Sequence, residues 1–509
     1  MVTFVMKCNY LSRRFFHFTS LKPMPFNIQD LLQTLPLTLL LVTGLLLMIS
    51  DALGIHKLLP WLTGLGLTFS MILSLPLQPE NQMVSLVYND MFKVGGLASF
   101  VHIALCLSAL LSLFFIDDFF KRHHKEIQEV YALLIFSVIG MIMLANANDL
   151  TVTFVGLETM SICLYIMAAL FKANVRSNEA GMKYFLLGSF ATGFLLMGMA
   201  LIYGATGVTQ YTQMNPLELK ASPLFYPGVL LVLIGFMFKV SAFPFHSWTP
   251  DVYTGTPTPL AGFMATAGKN AAFVALGIFL QQIMPTPDPK IILILSIAAL
   301  TSMVFGNFLA IRQTNLKRLL AFSSIAHSGY VLLGLCAGKE GFLAVLFYMF
   351  IYTLMNVGAF GLIGMNENED EDAEIHRWNG IGLRKPWFGI AMSVFLFSMA
   401  GIPPLAGFMS KYQVFFSAIR AELYWLAILG ILTSVVGAYY YIKVIVNMYF
   451  LKPDGETGNV NLPSFQITPV IGVAVLVLLT VILGIFPSWV YTYIENLYSQ
   501  AGNILTSVH

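Results

Sequence analysis

The chain has 509 residues, of which 57% are hydrophobic and 10% are charged, and its formal net charge is +2. Soluble domains carry about 25% charged residues, so this composition excludes a soluble domain and predicts an all-α polytopic membrane protein. The four cysteines are widely scattered without a CxxC pair, and neither GxGxxG nor a P-loop occurs. The usual local signatures of zinc, iron–sulfur and nucleotide sites are therefore missing. We expect no metal and no cofactor in this chain.

Residues 1–27 form an N-terminal extension that differs from the rest of the chain. Four basic residues fall within residues 1–23, and the stretch lacks the continuous apolar region of a signal peptide. Met24 opens a more ordinary start, MPFNIQDLLQTLPLTLLL. We interpret Met24 rather than Met1 as the translation start, which N-terminal sequencing that finds residues before Met24 would contradict.

Membrane spans account for most of the remaining sequence. Because a spanning helix needs about 20 mainly apolar residues, the sequence predicts about fourteen of them. They lie at 30–50, 58–77, 95–116, 128–145, 150–171, 184–206, 224–246, 258–282, 290–310, 318–337, 341–364, 387–418 (broken at Pro403), 421–450 and 466–488.

The basic residues of the connections predict how these spans are oriented. Connections that follow odd-numbered spans carry 14 lysines and arginines, against 5 in connections that follow even-numbered spans. Cytoplasmic loops carry the excess of basic residues. The odd-numbered connections are therefore predicted to be cytoplasmic, with both termini on the outer side.

Four charged residues lie deep inside apolar spans: Glu158 in TFVGLETMSICLY, Lys239 in GFMFKVSAFPFH, Lys269 in ATAGKNAAFVAL and Lys411 in PPLAGFMSKYQVFF. A charge at bilayer depth is costly by at least about 2.5 kcal/mol and usually marks an ion or proton pathway. Four such residues predict a charge route through the membrane. By contrast, Lys443 lies near the cytoplasmic end of its span, where snorkelling explains it.

Glu158 is the only acid well inside a span, and its most useful partner is a lysine, with Lys239 as the first candidate. Ser161 and Tyr165 follow at i+3 and i+7, so they continue the face of Glu158 and could hydrogen-bond the site. His246 is seven residues after Lys239, and on a continuous helix the two would share a face.

Prolines interrupt two apolar segments in a similar way. Pro244 follows Lys239 in the seventh span, and Pro403 with Pro404 precedes Lys411 in the twelfth. Proline removes a backbone donor and opens the helix, and interrupted segments in corresponding positions of two halves indicate the site of an inverted-repeat transporter. The offset of five spans is odd, so the two repeats would face opposite ways in the membrane.

Two further features carry titratable groups. His327 lies with Ser323, Ser324 and Tyr330 in LLAFSSIAHSGY, a polar stripe that is typical of a proton relay. His102 is alone on an apolar helix and is interpreted as a packing residue. The acidic run within 367–374 is interpreted as a solvated cytoplasmic loop, with partner docking as the alternative.

Several motifs together resemble those of the antiporter-like membrane subunits of proton-pumping NADH:quinone oxidoreductase (respiratory complex I). They are FKVSAFPFHSWTPDVYTGTPTP, KYFLLGSF with IYGATG, GNFLAIRQTNLKRLLAFSSIAHSGY and SMAGIPPLAGFMSKY, and the resemblance covers roughly 28–490. Three features favour one branch of that family: WTPDVY after His246, NAAF after Lys269, and Lys411 where another branch typically has glutamate. A third branch would be longer, with a lateral helix.

The resemblance implies a fold of about fourteen transmembrane helices with two inverted five-helix repeats, each containing a broken helix. It divides the chain into helices 1–3 (28–120), a first repeat of helices 4–8 (125–285), a second of helices 9–13 (288–450), and helix 14 with a tail (460–509). It also implies that Glu158 with Lys239, then Lys269, and then Lys411 form the proton-translocating axis. His246 and His327 are predicted to take part in proton translocation from their own position and chemistry. Gln313, Lys317 and Arg318 fall in a similar loop motif whose role stays open.

Partners and location follow from the same resemblance. The chain would be a translocase subunit in a bacterial inner membrane, in contact with lipid and with other membrane and hydrophilic subunits. NAD, FMN, iron–sulfur clusters and quinone are expected in those partners, and no nucleic acid is expected. Two alternatives stay open: a subunit of a multi-subunit sodium/proton antiporter that shares the fold, and a purely structural scaffold, which four buried charges disfavour.

Overall fold

The computed structural model describes residues 27–75, 84–125, 127–367, 373–452 and 467–505. Most of this part of the chain is helical, and a single antiparallel hairpin, Ser85–Val87 with Phe92–Val94, departs from the all-α prediction. The interpretation of the start before Met24 concerns residues outside the described ranges.

Numbered in chain order, the α-helices are α1 (Ile28–Gln33), α2 (Leu35–Ala52), α3 (Leu59–Ser74), α4 (Gly96–Arg122), α5 (Glu129–Ala145), α6 (Leu150–Ala168), α7 (Val175–Thr206), α8 (Pro216–Ala221), α9 (Phe225–Lys239), α10 (Trp248–Gly255), α11 (Thr258–Phe263), α12 (Lys269–Ile283), α13 (Pro289–Ile311), α14 (Leu316–Cys336), α15 (Gly338–Asn366), α16 (Ile381–Arg384), α17 (Pro386–Ala400), α18 (Ala406–Arg420), α19 (Tyr424–Phe450), α20 (Ile467–Ile485) and α21 (Ser488–Leu505).

Eleven helices within the described ranges are long and apolar enough to cross a membrane, and three shorter apolar helices, α5, α9 and α17, join them. The chain is an integral membrane protein. Burial separates the helices into a centre and a periphery. In the most apolar stretch of each segment, the share of residues that are buried is 100% for α14, 94% for Thr258–Ile283 and 89% for α15, against 22% for α2 and 33% for α19. The peripheral helices therefore offer apolar faces to lipid or to other subunits, while α14 and α15 form the centre.

Glycines allow α5 and α6 to approach each other closely. A Cβ placed on Gly140 would lie 2.3 Å from the Met160 nitrogen, and one on Gly156 would lie 2.4 Å from the Leu144 nitrogen. Only residues without a side chain let the two backbones approach so closely. This contact holds α6, and with it Glu158, against the rest of the bundle.

Both predicted proline interruptions are present. Helix α9 ends at Lys239 and α10 begins at Trp248, while α17 ends at Ala400 and α18 begins at Ala406. The interruption after Lys239 corrects one expectation, because Lys239 and His246 do not share a helical face. His246 lies in the non-helical connection that follows α9.

Backbone carbonyls at the first interruption accept hydrogen bonds from side chains, as burial in an apolar medium requires. Trp248 Nε1 donates to the Phe238 carbonyl at 3.1 Å, and Ser328 Oγ donates to the Val240 carbonyl at 2.6 Å. A third distortion has no sequence signal: Met264–Gly268 form a π-helical turn directly before Lys269. Such turns are rare and are frequent at functional sites.

Candidate functional site

Lys239 is 4% exposed and is surrounded by hydroxyl groups and aromatic rings. Its Nζ donates to Ser161 Oγ at 2.7 Å and to Tyr165 Oη at 2.8 Å, and it lies 5.0 Å from the centre of the Tyr165 ring. Tyr184 packs against Tyr165 and stacks on Trp248 at 4.4 Å. Helix α10, which begins at Trp248, is therefore in contact with the side chains that surround Lys239.

Glu158 does not contact Lys239 directly. The carboxylate accepts a hydrogen bond from Thr192 Oγ1 at 2.7 Å, and no oxygen of Glu158 lies within 4.0 Å of Lys239 Nζ among the described ion pairs. The expected pair is thus joined indirectly, because Ser161 and Tyr165 extend along α6 from Glu158 to the lysine. The sequence indicated these two side chains by their spacing, whereas Thr192 is 34 residues away in the chain and gave no signal.

His246 lies apart from Glu158 and Lys239. Its ring stacks on Phe243 with centroids 5.3 Å apart, and its buried Nδ1 has no hydrogen-bond partner among the described residues. The structure therefore brings His246 near the interruption but joins it to none of the lysines.

Lys269 is 2% exposed and lies at the first turn of α12. Its Nζ donates to Ser324 Oγ at 2.6 Å and to Ser328 Oγ at 3.2 Å, while Tyr352 Oη donates to the same Ser324 hydroxyl at 2.8 Å. Because Ser328 also donates to the Val240 carbonyl, a single hydroxyl links the Lys269 site to the interruption that follows Lys239.

His327 is 3% exposed and has a tyrosine on each ring nitrogen. Nδ1 lies 2.6 Å from Tyr348 Oη, and Nε2 lies 3.1 Å from Tyr441 Oη, which also contacts the Ser323 hydroxyl. The predicted stripe on α14 is therefore a packed polar layer. We did not predict Tyr348 and Tyr352 as site residues from the sequence, although two tyrosines at i and i+4 in an apolar span were a usable signal.

Lys411 is 6% exposed and lies on α18, one turn after the second interruption. Its Nζ donates to Ser434 Oγ at 2.8 Å and to the Ala400 carbonyl at 3.2 Å, and it lies 5.2 Å from the centre of the Tyr330 ring. A cavity of about 530 Å³, lined by Lys411 and by mainly apolar side chains of α18 and α19, opens beside it.

The chain is similar to known proteins in sequence and in fold. The sequence profile described as "NADH:quinone oxidoreductase/Mrp antiporter, TM" matches residues 147–437, more than half of the chain. The NADH-quinone oxidoreductase subunit N of Salinibacter ruber is 40% identical over 477 residues, 91% of this chain and 94% of that protein. That of Trichlorobacter lovleyi is 42% identical over 417 residues, 80% and 85% of the two chains.

The chain belongs to the NADH-quinone oxidoreductase subunit N family. This is the branch that WTPDVY, NAAF and Lys411 favour. A chain from the solved respiratory complex I of Thermus thermophilus is 31% identical with a TM-score of 0.76, over 90% of this chain and 98% of that one. A chain from the Mrp complex of a Dietzia species has a TM-score of 0.82 at 18% identity, over 94% and 98% of the two chains, which shows a shared fold.

Two charged features of this member of the subunit N family lie away from the three lysine sites. Lys317, 6% exposed, donates to the Thr256 carbonyl at 3.1 Å and pairs with Glu367 at 3.4 Å. Glu367 also accepts a hydrogen bond from the Thr258 hydroxyl. For Glu367 this corrects the interpretation of the acidic run as solvated, since that residue is packed into the bundle; 368–372 lie outside the described residues.

The remaining candidates are structural. His102 Nε2 lies 2.7 Å from Ser70 Oγ, which donates to the Pro36 carbonyl, so the prediction of a satisfied packing histidine is confirmed. Among the residues that the structure describes, no group of three or more His, Cys, Asp or Glu side chains could hold a metal ion.

Proposed function

We propose that this chain translocates protons as a membrane subunit of an NADH:quinone oxidoreductase complex and carries no redox centre itself. NAD, FMN, iron–sulfur clusters and quinone would be held by partner subunits, both membrane-bound and hydrophilic. The observation that carries the proposal is that Lys239, Lys269 and Lys411, all at most 6% exposed, each donate to a serine hydroxyl within 2.6–2.8 Å.

Buried cations that have hydroxyl partners and no carboxylate can exchange protons at low cost. A lysine locked in a buried ion pair would hold its proton, whereas a hydroxyl stabilises both the ammonium and the neutral amine. In the proposed sequence, quinone reduction elsewhere changes the charge state at Glu158, which alters the proton affinity of Lys239 and then of Lys269 and Lys411. Coulomb coupling of this kind is less screened in a low-dielectric interior.

The proposal also assigns the site residues to the two predicted repeats. The first repeat (125–285) would contain Glu158, Lys239 and Lys269, and the inverted second repeat (288–450) would contain His327 and Lys411. Both termini would lie on the outer side of a bacterial inner membrane. His246 would act at the first interruption, where its buried Nδ1 offers an unused acceptor or donor.

The test uses the assembled complex reconstituted into vesicles. Lys239→Ala is expected to assemble and to lose most NADH-driven proton pumping. Lys443→Ala, which changes a partly exposed lysine of α19, is the matched control and is expected to pump normally. Full pumping by assembled Lys239→Ala would remove the central claim.

The shared fold with the Mrp complex favours a second candidate, a subunit of a sodium/proton antiporter. Co-purification separates the two. A hydrophilic arm with flavin and iron–sulfur absorbance supports the first function, and small membrane partners with sodium-dependent proton flux support the second.

A further inference from the structure

The polar side chains between His327 and Lys411 converge on one amide, Asn307 of α13, which is 1% exposed. Asn307 Nδ2 donates to Tyr330 Oη at 3.0 Å, and Tyr440 Oη donates to Asn307 Oδ1 at 3.0 Å. Each tyrosine leads to one side of the site. Tyr330 lies under Lys411, and Tyr440 packs on Tyr441, the partner of His327, with ring centroids 4.4 Å apart.

The orientation of the amide is fixed by its other neighbours. Nδ2 also donates to the Met303 carbonyl at 2.9 Å and to the Thr433 carbonyl at 3.0 Å. A carbonyl oxygen only accepts hydrogen bonds, so the amide nitrogen must face both of them and the amide oxygen must face Tyr440. The two hydrogens of Nδ2 are therefore shared among these two carbonyls and the Tyr330 oxygen. The Tyr440 hydroxyl proton points at Asn307 Oδ1.

The absence of a side chain at Gly437 leaves the space that the Asn307 amide fills. A Cβ placed on Gly437 of α19 would lie 2.8 Å from Asn307 Oδ1. That distance is too short for contact without displacement, so any larger residue at 437 would push the amide away from Tyr440. Gly437 and Asn307 together bring α13 and α19 into contact at this depth.

We propose that Asn307 is a positioning residue that blocks direct proton exchange between the His327 layer and Lys411. A hydroxyl or a carboxyl can pass a proton by accepting at one position and releasing at another. An amide would have to accept at Oδ1 and release from Nδ2, which leaves an imidic acid that must isomerise back before the next transfer. The hydrogen-bonded segment from Tyr440 through Asn307 to Tyr330 is therefore interrupted for protons at the amide.

This inference rests on the proposed proton-translocating function and adds a barrier inside it. The barrier keeps protons at His327 and at Lys411 from equalising between turnovers. Proton passage then requires Tyr330 or Tyr440 to leave the amide, which makes these two side chains the moving parts of this segment.

The test measures passive proton flux, in the absence of NADH, through the complete complex in vesicles with an imposed pH gradient. Asn307→Ala opens a space lined by tyrosine hydroxyls that water can fill, and Asn307→Asp supplies a carboxyl of the same shape that can relay a proton. Both variants are expected to dissipate the gradient several-fold faster than the wild-type complex. Tyr439→Phe changes the exposed neighbour of Tyr440 and is expected to stay as tight as wild type.

Gly437→Ala gives an independent route to the same result, since it displaces the amide without adding or removing a polar group. The leak should be selective for protons over potassium and should disappear when Lys411→Met is added. Proton flux equal to wild type in both Asn307→Asp and Gly437→Ala would overturn the proposal, and so would a leak that also passes potassium. Because turnover is not needed, these outcomes are independent of the pumping result for Lys239→Ala.

Discussion

Lys239, Lys269 and Lys411 each donate a hydrogen bond to a serine hydroxyl. Desolvating a buried ammonium costs several kcal/mol, and hydrogen bonds must offset that cost. Lys239 obtains two of them from Ser161 and Tyr165, and an additional contribution from the aromatic face of Tyr165. Glu158 lies three residues before Ser161 on α6 and is not bound to this cation.

Tyr165→Phe tests this arrangement. The change keeps the ring and removes one hydrogen bond to a charged group, worth about 1.5–3 kcal/mol. We expect pumping to fall by at least about tenfold, since about 1.4 kcal/mol corresponds to a factor of ten, while assembly is retained. The measurement is proton uptake per NADH oxidised.

Tyr203→Phe, which removes a hydroxyl from an exposed position on α7, is the control and should pump normally. Unchanged stoichiometry in Tyr165→Phe would show that the Ser161 hydroxyl alone supports Lys239.

At the level of helices, the close contact between α5 and α6 fixes the position of Glu158, which lies on α6. Overpacking of a tight contact typically costs about 1–3 kcal/mol, so Gly156→Ala should lower the thermal unfolding midpoint clearly. Gly193→Ala is the matched control, because a Cβ at that position meets nothing within 4 Å. Replacing an exposed helical glycine should instead stabilise by about 0.5–1 kcal/mol.

A thiol-reactive dye can measure both variants, since Cys106, Cys163 and Cys336 are free and buried. A midpoint for Gly156→Ala at or above that of Gly193→Ala would contradict the packing argument.

The two helix interruptions were easier to predict from the sequence than the side chains that surround the buried lysines. The prolines located the ends of α9 and α17 because proline acts locally on hydrogen bonding. The π-helical turn before Lys269 was not predictable, since it depends on packing and no residue type marks it. Likewise, Ser161 and Tyr165 followed from helical periodicity, whereas Thr192 and Ser434 come from other helices and need the tertiary fold. His246 was misplaced for a related reason, because periodicity was extended through a helix that ends at Lys239.

At the scale of the whole molecule, Lys317 joins the two predicted repeats. It extends from α14 to the Thr256 carbonyl, next to α11, and to Glu367 at the end of α15. The paired side chains are only 8% and 12% exposed. Removing one partner of a buried pair costs about 3–5 kcal/mol, whereas replacing both is often neutral.

We therefore expect Glu367→Gln to lower the unfolding midpoint strongly and the double variant Lys317→Met with Glu367→Gln to recover most of the loss. The same dye assay provides the measurement, and Glu340→Gln, which breaks an exposed pair with Arg420, is the control. Additive losses in the double variant would show that the two side chains are not coupled.

The serine beside each lysine has a consequence for how fast the site can respond. A hydroxyl accepts from an ammonium in one orientation and donates to a neutral amine after rotation about its C–O bond. The heavy atoms of Ser161, Ser324 and Ser434 need not move when a proton leaves, so the reorganisation energy of each step is confined to one light-atom rotation. In the proposed mechanism, the helices can therefore stay still during most proton transfers, and slower motions are reserved for the few steps that must be irreversible.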